Sequence, residues 1–254
     1  MSYRSRTRLS NVSFYVPGFP PGVKWLLISN VAIFILSYFA GHSSIGAWIA
    51  SLALVPKAVV EFFMVWQLAT YMFLHGGFGH IIWNMLALWM FGADLEQAWG
   101  TRRFLQFYFV CGIGAGICVV AANYLLPIGD PTTATIGASG AIFGILLAYA
   151  MMFPNRTILW GFLIPIQVKW FVLIIGVISF MSAFRTVNSG VSEFAHLGGL
   201  LFGYIFMKSS RGGLNFNIAS PIRDRYRDWK LQRAKRKFQV YLRKQNQQRG
   251  PWVQ

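Results

Sequence analysis

Six apolar runs, each poor in charge, follow one another along this chain: about Trp25 to Ala40, His80 to Gln97, Phe104 to Leu126, Ser139 to Phe153, Val168 to Ala183 and Phe194 to Met207. A bilayer-spanning helix needs about 20 predominantly apolar residues, so the runs predict an all-α polytopic membrane protein with six transmembrane helices. Only 12% of the residues are charged, against roughly 25% in an ordinary soluble domain. That composition excludes a soluble enzyme and leaves no room for a large extramembrane domain.

The 23 Lys and Arg against 7 Asp and Glu give a net charge of +16. In a soluble chain this balance would point to nucleic acid, but the location of the charge points to a membrane, and no nucleic-acid partner is expected. Arg4, Arg6, Arg8 and Lys24 precede or open the first run, and 13 of the 23 basic residues fall in 208–254. By the positive-inside rule both ends are cytoplasmic, which requires an even number of spans. Placing the N-terminus inside puts Arg102, Arg103, Arg156 and Lys169 in inner loops and leaves only Lys57 and Arg185 outside. The expected organisation is a cytoplasmic segment 1–23, a six-helix membrane domain 24–208 and a basic cytoplasmic tail 209–254, in the cell membrane. No cleavable signal peptide is expected, because the first run follows a polar segment with Pro17, Pro20 and Pro21 and lacks a small-residue cleavage site. Cys111 and Cys118, about 10 Å apart along one helix, are too distant to bridge each other.

Two runs are short. As a helix, Ser139 to Phe153 reaches about 22 Å against roughly 30 Å of hydrocarbon, and Phe194 to Met207 is no longer. With its inner end fixed at Asn155 and Arg156, the fourth helix should stop below the outer surface. The Gly/Pro/Thr-rich approach from Gly129 to Gly137 cannot be regular helix, and non-helical backbone at membrane depth is tolerated only against protein or a water-filled cavity. An aqueous pocket open to the outside, with Ser139 on its floor, follows. Gly41 to Gly79 is too irregular for a span and reads as an outer loop with interfacial helices carrying Trp48, Phe62, Phe63 and Trp66.

The unexpected polar residues of the runs, His80, Asn84, Ser139 and His196, sit at one depth in the outward first turns of even-numbered spans, where ionisable groups are usually functional. Singly, each has a plainer reading: Ser139 as a helix N-cap, each His as an interhelical hydrogen bond. Spacing joins them. His80 and Asn84 are i, i+4 on one helix face. His196, Gly199 and Gly203 form a stripe that matches Gly140, Gly144 and Ala148 on the fourth run, and small-residue faces allow close helix approach. Packing the two stripes would bring Ser139 beside His196, a nucleophile with its general base, although the glycines are also compatible with packing alone. Phe143, one turn after Ser139, is placed to pack under the imidazole. The Ser139 N–H with the side chains of His80 and Asn84 would supply an oxyanion hole. Of the outer carboxylates Glu61, Asp130 and Glu193, none is in a position that obviously orients His196, so a dyad is expected.

Three motifs, Gly137-Ala-Ser-Gly-Ala-Ile-Phe-Gly144, Ala195-His-Leu-Gly-Gly199 and His75-Gly-Gly-Phe-Gly-His80-Ile-Ile-Trp-Asn84, together resemble the rhomboid intramembrane serine proteases over about Lys24 to Lys208. The resemblance implies a six-helix rhomboid-like bundle with an irregular outer loop between its first two helices. It implies Ser139 as nucleophile, His196 as base, and His80 and Asn84 as oxyanion residues. It further implies cleavage of membrane-anchored, single-span substrates near the outer ends of their spans, with no metal or cofactor. One departure stands out: the Trp-Arg pair of some members in the first outer loop is Trp66-Gln67 here.

Other readings are a non-enzymatic relative that binds spans, a small transporter with a midplane polar site, and a metal site built from His75, His80 and His196. Retention of Ser139 and His196 opposes the first. No inverted repeat supports the second, and the i, i+5 spacing of His75 and His80 with no Cys or acidic companion opposes the third. Gly112-x-Gly114-x-Gly116 has a dinucleotide-loop spacing but lies inside an apolar run with no preceding strand, so it reads as packing. In the tail, Ser220-Pro221 can start a helix on which Ile222, Tyr226 and Trp229 recur among basic residues. That pattern suits binding to anionic lipid headgroups, or equally a solvated, disordered tail.

Overall fold

The computed structural model describes residues 17–41, 43–126, 130–160, 164–183, 190–211 and 233. The expectations for the basic tail lie outside the described residues. The described chain is mostly helical, and every apolar run falls on helix.

Helix α1 (Pro21–Ala40) opens with proline at its first position and closes at Gly41, the arrangement in which proline lacks only an N–H that had no intrahelical partner. The next free N–H groups, of Gly22 and Val23, donate to the two oxygens of Glu96, each at 2.7 Å. Thr101 Oγ1 donates to the same carboxylate at 2.6 Å.

The segment between α1 and the second run is built from short pieces: α2 (Ser44–Ala50), α3 (Pro56–Glu61), α4 (Gln67–Thr70) and a 3₁₀ turn at Tyr71–Phe73. Gln67 is buried at its centre, its amide donating to the Ser51 carbonyl at 2.9 Å and its oxygen accepting from Val55 N–H at 3.0 Å. The residue that departs from the Trp-Arg pair is thus the one that ties this loop together. Trp48, Phe62, Phe63 and Trp66 are exposed on it. Leu54 and Thr135 exchange backbone hydrogen bonds of 3.0 and 2.8 Å, anchoring the loop to the non-helical segment that leads into the fourth run.

The second run is not one regular helix. It comprises α5 (Phe78–Ala87), a π-helical turn at Leu88–Gly92, and α6 (Ala93–Trp99). Helix α7 (Thr101–Leu125) is the axis of the core, with Phe104, Phe107, Tyr108, Cys111, Ala115 and Val119 fully buried. Tyr71 donates to the Gly112 carbonyl at 2.7 Å, and Met72 and Phe202 fill the space a Cβ would need at Gly112 and Gly114. The Gly112-x-Gly114-x-Gly116 spacing is therefore a packing surface.

Helix α8 (Ser139–Met152) packs against α7. Beyond it the mostly helical chain carries one short ribbon that the sequence reading did not include. Strands β1 (Thr157–Trp160) and β2 (Ile164–Gln167) form a two-stranded antiparallel sheet, with Ile158 opposite Ile166 and Trp160 opposite Ile164. β-branched and aromatic pairs across such a ribbon favour it, and with both strands at an edge Pro165 costs no shared ladder bond. Helix α9 (Val168–Ala183) covers the fifth run residue for residue. Helix α10 (Gly190–Arg211) has 22 residues, longer than the sixth run suggested, because Gly190 to Glu193 and Lys208 to Arg211 continue it in polar sequence. Among the described residues α1 and α7 are long and apolar enough to cross a membrane, while α8 and α9 are apolar but shorter.

Candidate active site

Ser139 is the first residue of α8, and Ala138 before it makes no side-chain cap. The Ser139 hydroxyl is turned across to α10 instead, where its Oγ lies 2.9 Å from His196 Nε2. Two glycine positions permit this. Gly137 has φ +121, a region that favours glycine, and its N–H donates to the Tyr71 carbonyl at 3.0 Å; the chain turns there immediately before the helix. Gly199 faces Gly140 so closely that a Cβ on it would collide with the Gly140 carbonyl. Gly203 packs on Gly144 one turn along, so the two small-residue stripes meet as the sequence suggested.

The imidazole of His196 is held on three sides. The Phe143 ring stacks on it, centroids 4.2 Å apart and planes 3° from parallel. Its Nδ1 lies 3.0 Å from Glu193 Oε2 and 3.5 Å from Ser179 Oγ of α9. A carboxylate only accepts, so the proton of the neutral ring belongs on Nδ1, and Nε2 is left as an acceptor for the Ser139 hydroxyl. Here the structure differs from the sequence reading, which assigned no carboxylate to His196. The other two outer acids are elsewhere: Glu61 pairs with exposed Lys57 at 3.9 Å. Asp130 accepts from its own loop at Thr132 N–H, 2.8 Å away, and this contact with Thr132 holds its carboxyl below the usual range.

His80 sits over the turn before Ser139, with Nε2 occupying the space a Cβ on Gly137 would need. Gly76 N–H approaches its Nδ1 at 3.4 Å, a long contact that favours the proton on Nε2, facing Gly137. Asn84, buried one turn on along the same face, donates one amide hydrogen to the His80 carbonyl at 2.8 Å and keeps a second. His75 is buried edge-on to the His80 ring, centroids 5.0 Å apart. Among the described residues no three His, Cys, Asp or Glu side chains group closely enough to hold a metal ion.

Against known proteins, residues 62–209, more than half of the chain, match the family model of the rhomboid domain. This chain belongs to the rhomboid family. It is 37% identical over 142 residues to "Rhomboid protease GluP" of Bacillus subtilis, covering 55% of this chain and 25% of the relative. It is 34% identical over 160 residues to "RHOMBOID-like protein 6, mitochondrial" of Arabidopsis thaliana, covering 60% and 46%. It is 33% identical over 141 residues to "Rhomboid-like protease 5" of Toxoplasma gondii, covering 53% and 15%. The chain thus spans less than half the length of these relatives. Rhomboid proteins are membrane-integral, and the apolar helices here agree with that.

Sequence reading passed over two acids inside the second run. Glu96, fully buried, caps α1 as described, and Asp94 accepts from Tyr149 Oη at 2.9 Å and pairs with Arg156. For Glu96 a signal was available, since the first N–H groups of any helix need partners and α1 starts without a capping side chain. For Glu193 the signal was its i, i+3 spacing from His196.

Proposed function

We propose that this rhomboid protein is an intramembrane serine endopeptidase that hydrolyses peptide bonds in or beside the transmembrane segments of single-span, membrane-anchored proteins. The observation that carries the reading is the 2.9 Å contact between Ser139 Oγ and His196 Nε2, with the ring turned so that Nε2 accepts. As Oγ bonds the scissile carbonyl carbon, its proton passes to Nε2; the imidazolium then gives that proton to the amine as the C–N bond breaks. Water next loses a proton to Nε2 as its oxygen adds to the acyl carbon, and the imidazolium returns that proton to Ser139 Oγ as the Oγ–C bond breaks and the carboxyl product leaves. The negative charge that develops on the carbonyl oxygen meets the Ser139 N–H, His80 Nε2 and the spare Asn84 hydrogen. No step calls for a metal or cofactor.

In this reading six segments cross the bilayer: α1, α5 to α6 as one, α7, α8, α9 and α10. The basic ends lie on one face, cytoplasmic by charge, and the cavity above Ser139 opens on the other. The short α8 sets the nucleophile below the surface, so substrate enters laterally. The sequence offers the segment Arg185 to Glu193 and the adjoining end of α9 at Phe180 and Met181 as the place of entry; Gly190 to Glu193 are the start of α10, and 184–189 lie outside the described residues.

The test is cleavage of a reporter protein with a single transmembrane segment by the detergent-solubilised chain, alongside labelling by a fluorophosphonate. Ser139→Ala and His196→Ala should each abolish cleavage, and Ser139→Ala should abolish labelling. Cleavage at the wild-type rate by either variant would remove the mechanism, and loss of activity in EDTA with recovery on zinc would replace it with a metal-dependent one.

A further inference from the structure

The carboxylate nearest the reacting groups is on the same helix as the base. Glu193 lies in the first turn of α10, three residues before His196, and its Oε2 is 3.0 Å from Nδ1. A glutamate at this point of a helix has a common local use, reaching back to a free N–H of the helix start, and its charge suits the positive end of the helix dipole. Here its oxygen is instead at hydrogen-bond distance from the ring ahead of it. Both partners are largely shielded, with side chains 18% and 23% exposed, where an ion pair is screened less than at an open surface.

Resting on the protease reading above, we propose that Glu193 is a positioning residue for His196, making the catalytic unit a relay of Ser139, His196 and Glu193 rather than a dyad. Its carboxylate fixes the Nδ1–H tautomer, so that Nε2 is free to take the Ser139 proton, and it stabilises the imidazolium formed in that transfer. Glu193 itself stays ionised throughout; protons pass only among Ser139 Oγ, the leaving amine, the attacking water and His196 Nε2. The other groups facing the ring are Ser139 and Phe143 of α8, Ser179 of α9 and, from α5, His80, which lies close enough to repel a charged His196. Glu193 is the one that is anionic. Ser179 Oγ, at 3.5 Å, is a weak neutral substitute for it.

Glu193→Gln and Glu193→Asp separate this role from a structural one. Glu193→Gln keeps the shape and removes the charge. It should lower kcat about 10- to 100-fold, the size of one lost hydrogen bond to a charged group, with KM within about twofold. Glu193→Asp keeps a negative charge on the first turn of α10 but withdraws it by one methylene, so a helix-dipole role predicts wild-type activity and the positioning role predicts a lowered kcat. Thermal unfolding in detergent establishes that each variant is folded. Wild-type kcat in the folded variants would overturn the proposal while leaving the protease reading intact. Cleavage surviving Ser139→Ala, or no fluorophosphonate labelling of the wild type, would sink the protease reading itself.

Discussion

Gly199→Ala should be among the least tolerated single-methyl changes in the site. The Cβ it adds would run into the Gly140 carbonyl, and a carbonyl within a helix cannot rotate aside. The two helices must therefore part until the new contact reaches an ordinary separation of about 3.5 Å or more, an opening of over an ångström. Ser139 immediately precedes Gly140, and His196 lies one turn before Gly199, so the opening acts directly on the 2.9 Å contact between them. Stretched to about 4 Å, that contact is no longer a hydrogen bond. Misplacement by about 1 Å costs roughly 10²-fold in rate, about 2.7 kcal/mol of barrier. The assay is kcat/KM on a single-span reporter, read below the unfolding temperature because overpacking also destabilises by about 1 to 3 kcal/mol. Gly176→Ala in α9 is the control, since its Cβ would rest 3.5 Å from a Leu200 methyl and alanine is the better helix former. If folded Gly199→Ala retained activity within a few-fold of Gly176→Ala, the close approach of α8 and α10 would not be what sets the Ser139–His196 geometry.

Three further outcomes are expected. His80→Ala and Asn84→Ala should each lower kcat more than they raise KM, by up to about 10²- to 10³-fold for a lone oxyanion donor and less where the second compensates; a change in KM alone would make both residues structural. Glu96→Gln should lower stability by about 1.5 to 3 kcal/mol, because an amide nitrogen then faces one of the two N–H donors of α1. Thermal unfolding in detergent reads it, and an unchanged midpoint would refute that role for the carboxylate. In a chain with Cys111 and Cys118 replaced by Ala, Ser139→Cys should react with a small water-soluble thiol reagent added from the outer face and not from the cytoplasmic face, whereas cytoplasmic labelling would invert the proposed topology.

Where periodicity and charge dominate, the sequence was a sufficient guide. α9 is Val168–Ala183 in both readings, because Gln167 and Arg185 bracket a run whose sole charge is Lys169, next to its start. The meeting of Ser139 and His196 was legible because two glycine stripes each have one packing solution, and Phe143 followed from helical spacing alone. Other features depend on partners distant in sequence. The π turn at Leu88–Gly92 leaves hydropathy unchanged, so the second run reads as one helix. The β1–β2 ribbon is short and apolar, and a run of that length does not reveal its period. Gln67 looked like a departure from the family pattern because its two hydrogen-bond partners, Ser51 and Val55, are backbone groups that leave no mark in sequence.

The acids show what this membrane fold asks of a buried charge. Four of the 7 acidic residues lie within described helices; Glu61 meets only the exposed Lys57, while the three shielded ones are matched to specific partners. Glu96 takes the N–H groups of α1, Asp94 takes Tyr149 and Arg156, and Glu193 takes His196. Tyr149 and Ser139 stand ten residues apart on α8, about 15 Å along its axis, so the Asp94 cluster and the Glu193 cluster engage opposite ends of one short helix. The first fixes that helix at the end where β1 follows. The second acts, in the proposed mechanism, on a ring that gains and loses a proton at every turnover. Asp94 is buried although Arg156 is 42% exposed, and a shielded carboxylate left without its partners is costly, so the Asp94 end is suited to holding α8 in register. The Glu193 end has a charge whose partner is neutral at rest and cationic only in the reaction, and its interaction strengthens when the imidazolium forms. That difference between resting and reacting states is what a positioning carboxylate can contribute to catalysis, and it is the ground on which the proposed mechanism uses Glu193 rather than either of the better-buried acids.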